Sequence, residues 1–301
     1  FSQDKSLQAL MAEKNSREKV DSLHAYAQKL LNVDNKQAWE IYKKTIVISQ
    51  ELGYDLGIAT AHRKTGYIQG QDGKYQEAIN HFRTAINYYN SGGGHIKDLL
   101  VCYNNLGSNF RQFGKVDSSM HYYLLAINKI ENWPLDKEEK AVKNEILSTL
   151  ALLNSNLSVM YANHFNVTKA LEYGTKAINI SREIKDTSRL IVSIACTANA
   201  YYVNKEFEKA LFISREAATL SDLIAEPVAQ AKAYHLLSVN YTALQKLDSG
   251  IYAAKKAMQL AKETDRQLYV TALLDLSDAY HDKKAYKEEE RLLQAALKEF
   301  N

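Results

Sequence analysis

The sequence predicts an all-α protein made of seven stacked helical hairpins, and three observations predict it. Only 2 Pro and 12 Gly occur in 301 residues, and these are the residue types that helix interiors tolerate least. A position occupied by Tyr26, Gly66, Gly107, Ser158, Ala198, Ser238 and Ser277 recurs at spacings of 40, 41, 51, 40, 40 and 39 residues. Self-similarity at a fixed period marks a repeat array. Within one copy, Leu99 to Glu131, the residues Tyr103, Leu106, Gly107 and Phe110 fall at i, i+3, i+4, i+7, and Ser119, Tyr123, Ala126 and Ile127 fall on a second such face. Each set is one side of a helix, and the turn Gln112-Phe113-Gly114-Lys115 separates them.

In chain order, the residues before Asp21 read as a leading helix or a loose arm. The first hairpin, residues 21–51, is degenerate: Ala38 and Tyr42 fit, but Tyr26 and Lys29 replace the small residue and the aromatic. A terminal repeat has one side without a neighbour and is expected to be atypical. The second hairpin spans 59–90 and is stopped by Ser91-Gly92-Gly93-Gly94; the third spans 99–131. An insertion at 132–146 accounts for the long spacing. There Pro134 breaks the outgoing helix and Asp136 is placed to cap a new one. Hairpins at 147–185, 190–224, 229–264 and 269–300 follow, with Pro227 marking the start of the sixth. The seventh has Glu289 where other copies have a small residue, which predicts one exposed face on its last helix. Residues 1–301 are thus expected to be a single solenoid. A chain that begins at Phe1 and ends at Asn301 reads as having lost a signal peptide or upstream sequence, and as cut before another module.

Further small and aromatic positions repeat with the first. An aromatic follows three residues later in Phe110, Tyr161, Tyr201, Tyr241 and Tyr280. A second small residue comes twelve later in Ala38, Ala78, Ser119, Ala170, Ala210 and Gly250, and a third seven further on in Ala85, Ala126, Ala177, Ala217, Ala257 and Ala296. This pattern resembles the tetratricopeptide repeat, most closely in the second copy, where Gly66, Gly73, Tyr75, Ala78, Phe82 and Ala85 stand in family positions. The period is nearer 40 than the family's usual 34 and the closing proline is missing, so longer helices are expected. Long repeats of this kind are similar to those of kinesin light chains and of bacterial peptide-sensing regulators. The resemblance implies a right-handed superhelical solenoid whose first helices line a concave groove.

Little in the chain suggests chemistry. A net charge of +3 offers no concentrated basic face for nucleic acid, and no segment reaches the ~20 apolar residues of a membrane span. The 20 Tyr against 8 Phe suit half-buried surface, each ring buried and each hydroxyl at the rim. Cys102 and Cys196 fall two hairpins apart, several helix diameters of about 8–10 Å and beyond the roughly 7 Å reach of a disulfide. Gly73-Lys74 and Gly114-Lys115 lack the earlier Gly and the following Ser or Thr of a phosphate loop, so they are turns. The eight His are scattered and no Cys cluster has metal-ligand spacing. No catalytic residue, metal or cofactor is expected.

What remains is the face of each first helix that packing does not use. It carries Arg63, Lys64, Tyr67 and Gln71 in the second hairpin and Asn104, Asn105, Ser108, Arg111 and Gln112 in the third. The fourth supplies Ser155, Asn156 and Asn163, and the fifth Asn199 and Tyr202. Asn donates and accepts at once, so a row of them suits the peptide bonds of an extended chain, and Arg63, Lys64 and Arg111 suit a carboxylate. By resemblance, asparagines at such positions contact bound peptide in the kinesin light chain type of repeat; the competing reading is that they merely solvate the helix. Asp275, Asp278 and Asp282, with His281 beside them, take a basic segment or a cation, or form a solvated face. The expected function is a non-catalytic module that binds a protein or peptide. By analogy it is the sensory or scaffolding region of a bacterial signal-transduction protein, periplasmic or extracytoplasmic, with the cytoplasm as the alternative. A scaffold for self-association, with a homodimer of the full-length protein, is the rival reading.

Overall fold

The computed structural model describes residues 6–92 and 95–299, so Gly93 and Gly94 of the predicted stop lie outside the described residues. Among them are fifteen α-helices and one short 3-10 turn, with no strand. The chain divides into two compact units, up to Leu135 and from Asp136. The first holds α1 (Leu7–Ala12), α2 (Arg17–Leu30), α3 (Asn35–Glu51), α4 (Asp55–Gln71), α5 (Tyr75–Gly92), α6 (Ile96–Gln112) and α7 (Val116–Glu131). The second holds α8 (Lys140–Asn163), α9 (Val167–Glu183), α10 (Thr187–Val203), α11 (Phe207–Ile224), α12 (Pro227–Ala243), α13 (Leu247–Ala261), α14 (Arg266–Asp282) and α15 (Tyr286–Lys298). After α1, the helices pair as hairpins with an inner and an outer member.

Helix starts follow local chemistry. The side chains of Ser16, Asp34, Asn166, Asp186 and Asp265 each accept the N–H three residues on, satisfying one of the donors a helix leaves open at its first turn. Pro227 is the first residue of α12, where its missing N–H costs nothing. The insertion differs from expectation. Asp136 caps no helix; it lies in a 3-10 turn, Leu135–Lys137, and pairs with Lys143 at 3.1 Å. Helix α8 starts at Lys140 without a side-chain cap and runs 24 residues, because the apolar face it buries extends back to Ile146.

All the repeated small positions from the second hairpin on are buried, and they set how closely inner and outer helices approach. A Cβ on Gly66 would stand 3.1 Å from the Phe82 ring, and one on Gly107 only 2.5 Å from the Tyr123 ring. At two Ser positions the hydroxyl donates to the outer helix backbone: Ser158 Oγ to Ala170 O at 2.8 Å and Ser238 Oγ to Gly250 O at 2.9 Å. Neighbouring hairpins then stack, and successive inner helices touch: α2, α4 and α6 in the first unit and α8, α10, α12 and α14 in the second. Gly107→Ala therefore overpacks the site against a ring that has no exposure, with an expected loss of about 1–3 kcal/mol readable as a lower urea midpoint.

The turn inside each hairpin from the second on has one geometry. The residue seven after the small position is left-handed: Gly73, Gly114, Phe165, Lys205, Gln245 and Lys284, with φ between 57° and 75°. The next N–H reaches back to the carbonyl five residues earlier, as in Lys115 N to Phe110 O at 2.8 Å and Glu206 N to Tyr201 O at 2.9 Å, which closes the inner helix in a Schellman turn. Only two of the six are Gly, although a side chain in this conformation is strained by about 1 kcal/mol or more. Lys205→Gly and Gln245→Gly are expected to stabilise the second unit by about 0.5–1 kcal/mol each, measured by chemical denaturation.

Candidate functional site

In the first unit the polar residues of the inner helices are largely engaged with one another. Arg63 Nη2 pairs with Asp98 at 3.0 Å and its Nε donates to Tyr89 Oη at 3.2 Å. Asp98, one turn into the neighbouring α6, thus occupies the guanidinium that the sequence offered to a ligand carboxylate. Lys64 donates to Gln28 of α2; burial, and then the charge of Arg63, pushes its ammonium down to about 8. Tyr67 Oη donates to Asn32 at 3.2 Å, and Ser108 Oγ lies 3.0 Å from Tyr123 Oη. Asn104 and Asn105 are half-buried, whereas Gln71, Arg111 and Gln112 are exposed at the C-terminal ends of α4 and α6.

The sequence reading passed over Asn109. It is buried and its amide donates to Asn105 O at 2.8 Å, while its Oδ1 has no hydrogen-bond partner among the described residues. It packs on Gly70, where a Cβ would come within 2.7 Å of that oxygen. The signal was the pairing of an Asn in the apolar face of α6 with a Gly in α4.

In the second unit Ser155 does not belong to an open face. It is fully buried, donates to Ala151 O at 2.9 Å and lies 3.2 Å from Ser193 Oγ of α10, because α8 turns this side toward α10. Asn163 is exposed at the end of α8, and Asn156 and Asn199 are half-buried. Tyr202 lines a cavity of ≈ 250 Å³ with Val239, Thr242, Ala243, Gln245, Asp275, Asp278 and Asp282. Its walls come from three successive inner helices, α10, α12 and α14, and the turn after α12.

The cavity is electronegative. Asp275 is bonded to His235 of α12, and Asp282 accepts from Gln245 Nε2 at 3.2 Å. The Asp278 carboxyl is raised above its ordinary range by burial and then by the charges of Asp275 and Asp282. His281 is not part of the cavity; its Nδ1 lies 3.0 Å from Glu289. Among the described residues no three His, Cys, Asp or Glu side chains are arranged to hold a metal ion, and no helix is long and apolar enough to cross a membrane.

No protein-family model matches the chain, and no curated protein matches it either. Solved structures do. The apo form of the quorum sensor NprR from B. thuringiensis superposes with a TM-score of 0.77 at 15% identity, covering 98% of this chain and 79% of that one. A tetratricopeptide repeat protein from Parabacteroides merdae gives 0.61 at 15% identity over 93% of this chain and 92% of that one. The Rap protein complexed with competence and sporulation factor gives 0.60 at 17% identity over 94% and 76%. The fold is that of the tetratricopeptide repeat.

The tetratricopeptide frame also brings two of the scattered histidines together and buries a third. His62 Nδ1 of α4 lies 2.8 Å from His81 Nδ1 of α5, so one ring must be neutral to accept. His24 is buried with Nε2 2.9 Å from Thr45 Oγ1, whose own proton goes to Tyr42 O at 2.8 Å; the imidazole is therefore the donor. Burial lowers His24 and His62 to about 4. Between that value and the ordinary ~6.5 the unfolded chain binds more protons than the folded one. Their contribution is complete above pH ~6.5 and is lost as pH falls toward 4. The urea midpoint of the wild type is expected to drop between pH 7 and pH 4.5, and His24→Gln to drop less, by on the order of 2 kcal/mol.

Proposed function

We propose that the chain is a non-catalytic binding module that holds an extended peptide or protein segment along its inner helices, and that the acidic cavity of the second unit receives a Lys or Arg side chain of that segment. The observation that carries this reading is the cavity itself. At ≈ 250 Å³ it is smaller than the roughly 300–1,000 Å³ of small-molecule sites, and it suits one long side chain. Val239, Ala243 and Tyr202 offer apolar and aromatic surface to the stem, as long cationic side chains require. A cation beside Asp278 relieves the repulsion among three carboxylates. Asn156, Asn163 and Asn199 serve the backbone of the segment in this unit. Within the first unit by itself, Lys64, Tyr67, Gln71, Asn104, Asn105, Ser108, Arg111 and Gln112 offer a like surface to an extended segment, with Arg63 and Asp98 bracing it. Likeness to a quorum sensor and to a Rap protein complexed with a factor supports a sensory role in bacterial signal transduction.

Binding of a positional-scanning peptide library, read by fluorescence polarisation, tests the proposal. Lys and Arg should be enriched at one position, with affinity falling as salt rises. Asp278→Asn combined with Asp282→Asn should weaken the selected peptide at least tenfold. A library without basic preference, or binding that survives both this pair and joint substitution of Asn104, Asn105 and Asn156, overturns it.

A further inference from the structure

A second cavity lies wholly within the first unit, at the end of the third hairpin that is away from its turn. At ≈ 430 Å³ it falls within the roughly 300–1,000 Å³ of small-molecule sites. Where α5 ends, α6 begins and α7 ends, their side chains form two unlike walls. One is made of rings: Trp133 is half-buried, and the Tyr89 and His95 rings stand 5.9 Å apart. Thr60 and Arg63 already engage Tyr89 Oη, so this residue offers its ring. The other wall is polar and carries Asn128, Lys129 and Asn132.

The charge in this cavity is unbalanced. No carboxylate lines it, and the half-buried Lys129 has no ion pair among the described residues. Asp98, in the first turn of α6, is held by Arg63 at 3.0 Å. Helix α6 starts at the cavity with His95 as its N-cap residue and no side-chain cap, so the positive end of its dipole is open to the same space. Asn132 Nδ2 donates to Asn128 O at 2.8 Å and fixes this end of α7. The Asn128 amide and the His95 ring nitrogens have no hydrogen-bond partner among the described residues. Donors, acceptors and one uncompensated cation thus converge beside aromatic rings.

We propose that this cavity binds a small sugar that carries one anionic group, a phosphate or a carboxylate. The anion lies between Lys129 and the start of α6, where a charge-assisted bond and open N–H groups favour it. Sugar hydroxyls donate and accept at once, as the amides of Asn128 and Asn132 do, and the C–H face of the sugar ring lies on the broad apolar face of Trp133. None of these residues belongs to the inner surface or to the acidic cavity, so this site is independent of what those bind.

The probes are glucose 6-phosphate, glucuronate and glucose, titrated into the 301-residue chain by calorimetry. At least one charged sugar should bind saturably and at least tenfold tighter than glucose, with affinity falling as salt rises. Lys129→Met should remove the preference for the charged sugar while helical circular dichroism is retained. Trp133→Ala should weaken it at least tenfold, and Asp278→Asn, which alters only the acidic cavity, should leave it unchanged. Absence of saturable binding by both charged sugars, equal binding of glucose, or a preference that survives Lys129→Met overturns the proposal. So does inorganic phosphate that binds as tightly as glucose 6-phosphate, since the rings then hold nothing, or adenosine monophosphate that binds tighter, since the rings then hold a base.

Discussion

The structure depends on how closely two helices approach within a hairpin. In the second to sixth hairpins the inner helix carries a small residue at the crossing, and the outer helix residue sixteen positions later fills the space that remains. Two solutions occur. In the second and third hairpins the inner residue is Gly, and a large ring, Phe82 on Gly66 or Tyr123 on Gly107, fills the gap. In the second unit a Cβ on Gly174 would stand 3.0 Å from Ser158 Oγ, and the same register aligns Ala198 with Ser214 and Ser238 with Ala254, all buried. Volume is exchanged across the crossing, and the combined size stays within what interior packing tolerates.

The second solution has a polar consequence. Replacing a ring with small residues brings hydroxyls and backbone together, and each buried hydroxyl must find an acceptor. Ser193 Oγ donates to Arg189 O and lies 3.2 Å from both Ser155 Oγ and Ser181 Oγ, and Ser158 and Ser238 use outer-helix carbonyls. Ser155 is drawn into this network and withdrawn from the inner surface. The polar packing of the second unit goes with its acidic cavity: these buried hydroxyls are satisfied internally, and three carboxylates, Asp275, Asp278 and Asp282, line the space where three inner helices meet.

The first unit reaches the opposite balance. Its crossings are aromatic, and its inner surface is held by charge-assisted and hydroxyl bonds between α2, α4 and α6. Arg63 spans Tyr89 and Asp98, Lys64 reaches Gln28 and Tyr67 reaches Asn32. Such bonds order the inner helices relative to one another and leave Gln71, Arg111 and Gln112 at the rim.

By itself the sequence determined the helix pairs, the turn of each hairpin and the buried small positions, because these rest on periodicity and on sterics within about twenty residues. Even the turn at Phe165 or Lys205 is implied by register with Gly73 and Gly114, although neither residue favours a left-handed backbone. Tertiary structure decided which polar side chains face outward. Arg63 is taken by Asp98 and Ser155 by Ser193, each from the next inner helix, and no local pattern reveals a partner one repeat away. It also decided the start of α8, where Asp136 turned to Lys143 instead of capping. Each cavity exists only where three helices meet, α10, α12 and α14 in the second unit and α5, α6 and α7 in the first, because a side chain is enclosed by its neighbours and not by its own helix.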